Sequence, residues 1–130
     1  MSTDSSDVAD AIKVSVRLRP LNKKELALGA AGEIEWKWSA TALLEEDKTG
    51  LRSEKRHTFD HIFGPGRDNE DMYEKVARPV VTKVLKGFNG TVFAYGQTGS
   101  GKTYSILGLP TAPGIIPRAI DQVFQHVQQA

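Results

Sequence analysis

The chain has 130 residues, of which 39% are hydrophobic and 25% charged. This is the length of about one domain, with an ordinary globular composition. Its 17 Lys and Arg nearly balance its 16 Asp and Glu, so neither nucleic acid nor an anionic membrane is a predicted partner. The lack of cysteine excludes a disulfide framework and a thiolate zinc site. No apolar run approaches the roughly 20 residues of a membrane-spanning helix, and the polar, acidic start is unlike a signal peptide. We therefore expect a soluble, cytosolic domain.

The first fifth of the chain predicts one strand. Small polar residues fill positions 1–11, a composition that predicts a disordered leader. From Ile12 to Leu18 apolar and polar residues alternate strictly, which predicts a strand that Pro20 ends. Positions 21–32 carry two glycines and are predicted to be a connection.

The next segment predicts small antiparallel strands. Glu33–Trp38 alternates, with its two tryptophans on one face that we expect to be packed. Thr41–Glu46 is its predicted partner, and a further strand is predicted within Leu51–Ile62. The Gly-Pro-Gly at 64–66 ends this stretch.

A long amphipathic helix is predicted next. Apolar residues recur every three or four positions from Tyr73 to Phe88, which is one continuous helical face. Asp68 or Asn69 is the predicted N-cap, and Gly87 or Gly90 is the predicted end of the helix. Pro79 lies inside the pattern and predicts a kink.

The last third predicts a strand, a short helix and a longer helix. Thr91–Tyr95 is a short apolar run that predicts a buried strand. A helix is predicted from about Lys102 to Leu107, followed by a loop over 108–114. Pro117 suits the first turn of the last helix, whose apolar stripe continues toward the end of the chain.

One motif carries chemistry. Residues 96–103 read GQTGSGKT and match the phosphate-binding pattern G-x-x-x-x-G-K-[ST]. Consecutive backbone amides in such a loop converge on a polyphosphate, at the N-terminus of a helix whose dipole favours anions. Lys102 would reach the β- and γ-phosphates, and the Thr103 hydroxyl would ligate Mg²⁺. The predicted nucleotide-binding residues of the loop are Gly96, Gln97, Thr98, Gly99, Ser100, Gly101, Lys102 and Thr103. A chance match in a chain of this length is on the order of one in several hundred.

Two further features have open readings from the residues alone. Arg17 and Arg19 share a strand face and precede Pro20, so their guanidinium planes could stack on an adenine ring. Two solvated arginines at a strand end are the plainer interpretation. Tyr104 follows the loop and packs either near the nucleoside or in the core.

Several blocks together resemble the N-terminal part of a kinesin motor domain. In order they are IKVSVRLRPLN (12–22), HTFDHIF (57–63), the apolar helix at 73–87, NGTVFAYGQTGSGKT (89–103) and GIIPR (114–118). The resemblance implies an α/β phosphate-loop NTPase with a mixed, mostly parallel sheet flanked by helices. It also implies that residues 12–130 are an incomplete motor domain, truncated after the helix that follows the phosphate loop.

The resemblance also implies a function. The parent activity is ATP hydrolysis coupled to movement along microtubules, with ATP and Mg²⁺ as cofactors, tubulin as partner and the cytoskeleton of the cytoplasm as location. It makes Arg17, Arg19, Pro20 and Tyr104 nucleotide contacts. Both switch motifs of the family, N-x-x-S-S-R-S-H and D-L-A-G-S-E, are absent from these 130 residues. We therefore expect no catalytic residue in this chain and an inactive piece when it is isolated. A non-hydrolysing, nucleotide-binding regulatory module is the alternative. Kinesin class, direction of travel, cargo and oligomeric state are not predicted from these residues.

Overall fold

A computed structural model describes residues 12–28, 34–47, 49 and 55–129. They belong to two compact units, Met1–Pro65 and Gly66–Ala130. The predicted leader at 1–11 lies outside the described residues. No helix within the described ranges is long and apolar enough to cross a membrane.

In the part of the first unit that the structure describes, short strands predominate, with one short helix. Its elements in chain order are β1 (Ser15–Arg17), α1 (Lys23–Leu28), β2 (Ile34–Trp38), β3 (Ala42–Asp47), β4 (Lys55–Thr58) and β5 (His61–Phe63).

Strand β1 pairs in parallel with β5, with Val16 opposite Ile62. The Leu18 amide extends this pairing by donating to the Phe63 carbonyl at 2.8 Å. The predicted strand over 12–18 is therefore correct in place but longer than the observed one. A strand extends only where a partner strand is paired with it. The partner of β1 is β5, which has three residues.

Strands β2, β3 and β4 form an antiparallel sheet in that order, which confirms the predicted pairing of the second and third strands. The predicted packed face of this sheet is wrong, because Trp36 and Trp38 are 46% and 47% exposed. Trp38 does lie against Gly64, because a Cβ atom at position 64 would overlap the Trp38 indole ring. Among the described residues of this unit, the buried hydrophobic side chains are Ala42, Leu43, Ile62 and Phe63.

Helix α1 corrects the prediction of a plain connection over 21–32. The Asn22 side chain accepts from the Glu25 amide at 2.9 Å, and the Glu25 carboxylate accepts from the Asn22 amide at 2.8 Å. This reciprocal pair is the arrangement of a capping box, in which two amides at the helix start are satisfied at once. The six-residue helix is too short to show a clear apolar period, so periodicity alone missed it.

The second unit is mainly helical. Its elements are α2 (Asn69–Met72), a π-helical turn (Tyr73–Ala77), α3 (Arg78–Leu85), α4 (Lys102–Ile106), β6 (Gly108–Leu109), β7 (Ala112–Pro113) and α5 (Ile115–Gln129).

The predicted long helix is present and has the expected irregularity. Asp68 caps it, accepting from the Asp71 amide at 2.8 Å. Pro79 has no amide hydrogen and its ring would collide with the carbonyl four residues earlier. The turn before it widens accordingly, and the Arg78 amide donates to the Tyr73 carbonyl five residues back. The predicted kink therefore takes the form of a π turn.

Gly87 ends this helix. Its φ is +99°, a left-handed conformation that costs other residues energy. The Gly87 amide donates to the Val84 carbonyl at 3.0 Å, and the Phe88 amide donates to the Lys83 carbonyl at 3.1 Å. This is the Schellman pattern of a helix C-terminus, and it confirms one of the two predicted stops.

A polar network joins this helix to α5. Gln122 is buried and accepts a hydrogen bond from the Tyr73 hydroxyl. Its amide nitrogen donates to the Thr82 hydroxyl at 3.1 Å. Met72, Tyr73 and Ala77 are buried apolar residues of the same long helix. Because buried polar groups need partners, this network restricts how the two helices can pack.

The predicted buried strand over Thr91–Tyr95 is not observed. Within the described ranges no strand pairs with it, and Tyr95 is 97% exposed. A buried strand needs ladder partners and covering side chains, and apolar, β-prone composition alone supplies neither. The expected mostly parallel sheet is likewise not seen there, because β1 and β5 form the one parallel pair among the described strands.

The Gly87 cap leads to a stability prediction. A side chain at this position would contact nothing within 4 Å, so the left-handed backbone is the main cost of adding one. We expect Gly87→Ala to lower the free energy of unfolding by about 1 kcal/mol. Lys86→Ala is the matched control, since Lys86 has a φ of −88°, and it should change stability little. Urea denaturation of both variants tests this, and equal effects would contradict the assignment of the cap.

Candidate nucleotide-binding site

The phosphate-loop motif folds as a tight turn that leads into α4. Gly99 and Gly101 have φ values of +83° and +102°, and the Ser100 amide donates to the Gln97 carbonyl at 3.0 Å. Two left-handed positions this close together allow the backbone to make a tight turn. The motif needs glycine there because other L-residues resist this conformation.

The start of α4 offers backbone amides to the loop. The first bond of the helix runs from the Ser105 amide to the Gly101 carbonyl at 3.0 Å. The amides of residues 102 and 103 precede this bond, and amides at the start of a helix have no carbonyl acceptor one turn earlier within it. Such amides, together with those of a glycine-rich loop, are the donors that bind phosphate oxygens.

Lys102 is turned back toward the loop. Its Nζ lies 2.5 Å from the Gly96 carbonyl oxygen, and the residue is half-buried. Gly96 itself faces Ser100, whose Oγ would lie 2.5 Å from a Cβ at position 96. The contacts of Lys102 and Ser100 with Gly96 thus close the loop on itself. A cation in that place attracts a triphosphate.

Thr103 and Tyr104 follow on the exposed side of α4. The Thr103 carbonyl accepts the last bond of the helix, from the Leu107 amide at 2.8 Å. Tyr104 is 40% exposed, which does not favour the alternative that it packs in the core; its contact with the nucleoside stays a prediction. Tyr104 directly follows Thr103, the residue that is expected to ligate Mg²⁺.

Asn69 is a contact of this segment that the sequence analysis did not assign. It is 1% exposed, and its Nδ2 donates to the Tyr104 carbonyl at 3.1 Å and the Ala112 carbonyl at 3.0 Å. In the sequence Asn69 is only a candidate helix cap. No pattern in the sequence indicates a partner 35 residues away.

In the first unit, Arg19 lies beyond the end of β1 and is held by Glu25. Its two terminal nitrogens lie 2.8 and 2.5 Å from the two carboxylate oxygens of Glu25, and one also donates to the Pro20 carbonyl at 3.2 Å. Hydrogen bonds from Arg19 and from the Asn22 amide lower the pKa of Glu25 from 4.5 to about 2, and the same pairing raises the pKa of Arg19. The pair uses the edge of the guanidinium, so its flat faces are still suited to stacking.

Glu25 is the second residue that the sequence analysis missed. The signal is the Asn22-x-x-Glu25 spacing, which is that of a capping box. Arg17 is half-buried and Pro20 is exposed. The nucleotide contacts of Arg17, Arg19 and Pro20 stay predictions, whereas the loop residues and Tyr104 are contiguous in the second unit.

The donor set fits a nucleotide triphosphate with Mg²⁺. The loop and α4 supply backbone amides, Lys102 supplies an ammonium group and Thr103 a hydroxyl, which is a ligand that hard divalent cations accept. Within the described ranges there is no group of three or more His, Cys, Asp and Glu side chains that could hold a metal ion. A metal at this loop would therefore depend on the hydroxyl and on phosphate oxygens.

Comparison with known families agrees with these features. The family model described as "Kinesin motor domain" matches residues 17–130, which include the last residue of β1 and the whole phosphate loop. The chain belongs to the kinesin motor family. The resemblance noted from the sequence blocks is thus confirmed, and with it the α/β phosphate-loop NTPase class of the fold.

Curated kinesin relatives align over most of the chain. It is 39% identical over 119 residues to centromere-associated protein E of Homo sapiens, covering 92% of this chain and 4% of that protein. It is 41% identical over 128 residues to kinesin-like protein KIN-7D, mitochondrial, of Arabidopsis thaliana, covering 98% and 12%. Kinesin-like protein KIF3C of Bos taurus is 39% identical over 134 residues, covering 94% and 16%. The chain thus spans between 4% and 16% of these relatives' lengths.

The Glu25 carboxylate leads to a prediction of pH dependence. Because its folded-state pKa is lowered from 4.5 to about 2, its stabilising effect is present above pH 4.5 and is lost as the pH falls toward 2. Glu25→Gln keeps a side chain that can complete the capping box but removes the charge. We expect wild type to resist urea better than Glu25→Gln at pH 7 and the two to converge near pH 2. Arg19→Gln should show the same convergence, whereas a difference that is constant with pH would contradict the pairing.

Proposed function

We propose that residues 96–103 bind the triphosphate of ATP together with Mg²⁺, as the nucleotide cradle of a microtubule motor. One observation carries the proposal: the closed loop at the start of α4, with the Lys102 ammonium group 2.5 Å from the Gly96 carbonyl. Membership of the kinesin motor family supports the choice of ATP among nucleotides.

Each residue has a proposed role in binding. The amides of the loop and of the first turn of α4 donate to phosphate oxygens. Lys102 exchanges the Gly96 carbonyl for the β- and γ-phosphates, and Thr103 ligates Mg²⁺ through its hydroxyl. The exposed ring of Tyr104 lies beside the nucleoside. Arg17, Arg19 and Pro20 border the adenine, and the Glu25 pair keeps the Arg19 guanidinium in one orientation.

For the whole protein we propose ATP hydrolysis coupled to movement along microtubules, in the cytoskeleton. Mg²⁺, held by the Thr103 hydroxyl and phosphate oxygens, would neutralise charge on the phosphates during hydrolysis. In the family, segments that sense the γ-phosphate transmit its loss to the track-binding surface. The two motifs for those segments are absent from these 130 residues, so the piece alone binds nucleotide without coupling it to a track.

Lys102 gives the sharpest test of nucleotide binding. We expect Lys102→Ala to weaken Mg·ATP binding by about 10- to 100-fold, the cost of one charge-assisted contact. Lys83→Ala is the control, since Lys83 is an exposed lysine of the same unit, and its affinity should match wild type. Calorimetric titration measures both, with circular dichroism to show that the variants fold. Unchanged affinity in Lys102→Ala would refute the proposal.

The missing switch motifs lead to a prediction about turnover. We expect the isolated 130-residue chain to hydrolyse ATP no faster than the Lys102→Ala variant, with or without polymerised tubulin, because no residue in it is expected to position the attacking water. Phosphate release measured at saturating ATP tests this. Stimulation by microtubules that depends on Lys102 would show instead that these residues suffice for catalysis.

A further inference from the structure

Helix α4 has two side-chain attachments, and they differ. At its first residue, Lys102 reaches the Gly96 carbonyl. At its third residue, the Tyr104 carbonyl accepts one hydrogen bond from Asn69, which donates a second to the Ala112 carbonyl. The helix has only five residues, so each attachment bears on a large part of it.

The position of Asn69 in the fold makes its contacts firm. It is the first residue of α2, directly after the Asp68 cap, and it is 1% exposed. The amide nitrogen of asparagine carries two hydrogens, and both have a carbonyl acceptor here. Substitution by an apolar residue would leave those two part-buried carbonyls without this donor, and losing one partner of a hydrogen bond costs more when the other is shielded from water.

The Tyr104 carbonyl belongs to the last turn of α4 and accepts from Asn69 Nδ2 at 3.1 Å. The last bond of α4 ends at the Thr103 carbonyl, and the chain turns into β6 at Gly108, whose φ is +71°. Carbonyls in the last turn of a helix need outside donors. Asn69 supplies that donor and ties the same point to β7 through Ala112, so it determines where residue 104 lies.

We propose that Asn69 is a positioning residue for the nucleoside: by holding the Tyr104 carbonyl it places the Tyr104 ring, and so favours a nucleotide over a bare polyphosphate. The inference rests on the proposed nucleotide binding at residues 96–103. Lys102 keeps its own attachment to the loop through Gly96, so the phosphate contacts depend less on Asn69 than the contact of Tyr104 does.

Two ligands distinguish the phosphate contacts from the contact with the Tyr104 ring. Mg·ATP uses both the phosphate contacts and the ring of Tyr104, whereas magnesium tripolyphosphate uses the phosphate contacts alone. We expect Asn69→Leu, which has a similar volume and no donor, to weaken Mg·ATP binding by about five- to tenfold, as for one net hydrogen bond. Tripolyphosphate affinity should change by less than about twofold.

The experiment is a double-mutant cycle by calorimetric titration of the full chain with each ligand. Asn69→Leu and Tyr104→Ala should each lower the preference for ATP, and the double variant should lose no more than the larger single effect, because both act through one contact. Asn69→Gln keeps the amide and should recover part of the preference. Asn69→Ser provides a smaller polar replacement if leucine prevents folding, with the same expected loss.

The results distinguish this inference from the proposed function. The positioning role would be overturned if Asn69→Leu and Asn69→Ser lowered the affinity for both ligands equally, or if the effects in the cycle were additive. Either result would leave the proposal of nucleotide binding intact. If wild type binds neither ligand, or if Lys102→Ala changes neither affinity, the proposed function fails and the inference falls with it.

Discussion

The turn at residues 96–101 is the constraint on which the site depends. Two left-handed glycines at 99 and 101 make the tight turn that leads directly into α4, whose first residue is Lys102. Neither charge nor hydrogen-bonding capacity alone would make a phosphate cradle there, because donors must converge on one point. The two glycines supply the geometry, and the lysine and the amides supply the attraction.

Support for this turn comes from a distant part of the chain. Asn69, at the start of the long helix, donates to the Tyr104 carbonyl of α4. Gln122 joins the long helix to α5 through Tyr73 and Thr82. The second unit therefore connects its phosphate loop to its helical core through buried side-chain amides. In the first unit the Arg19–Glu25 pair has a comparable role, since one carboxylate both starts α1 and fixes an arginine proposed to border adenine.

The predictions that failed have a common physical cause. The apolar run Thr91–Tyr95 has strand composition, but a strand exists only where partners donate and accept along its length. Trp36 and Trp38 alternate as a packed face would, yet burial depends on what lies opposite, and both remain half-exposed. Local pattern describes what a segment can form. It does not specify the partner that would make the segment form it.

Local chemistry alone determined much of this protein. The phosphate loop, the Asp68 cap, the Gly87 stop and the irregularity at Pro79 could all be read from the sequence, because each follows from backbone conformation or bonding within a few residues. The family was also legible there, in the order and spacing of the sequence blocks. Only the tertiary structure decided that Asn69 holds Tyr104 and Ala112 and that Gln122 joins two helices. It also decided that β1 pairs with β5 across more than 40 residues. These contacts join residues far apart in the chain, and which distant groups meet depends on the packing of the whole unit.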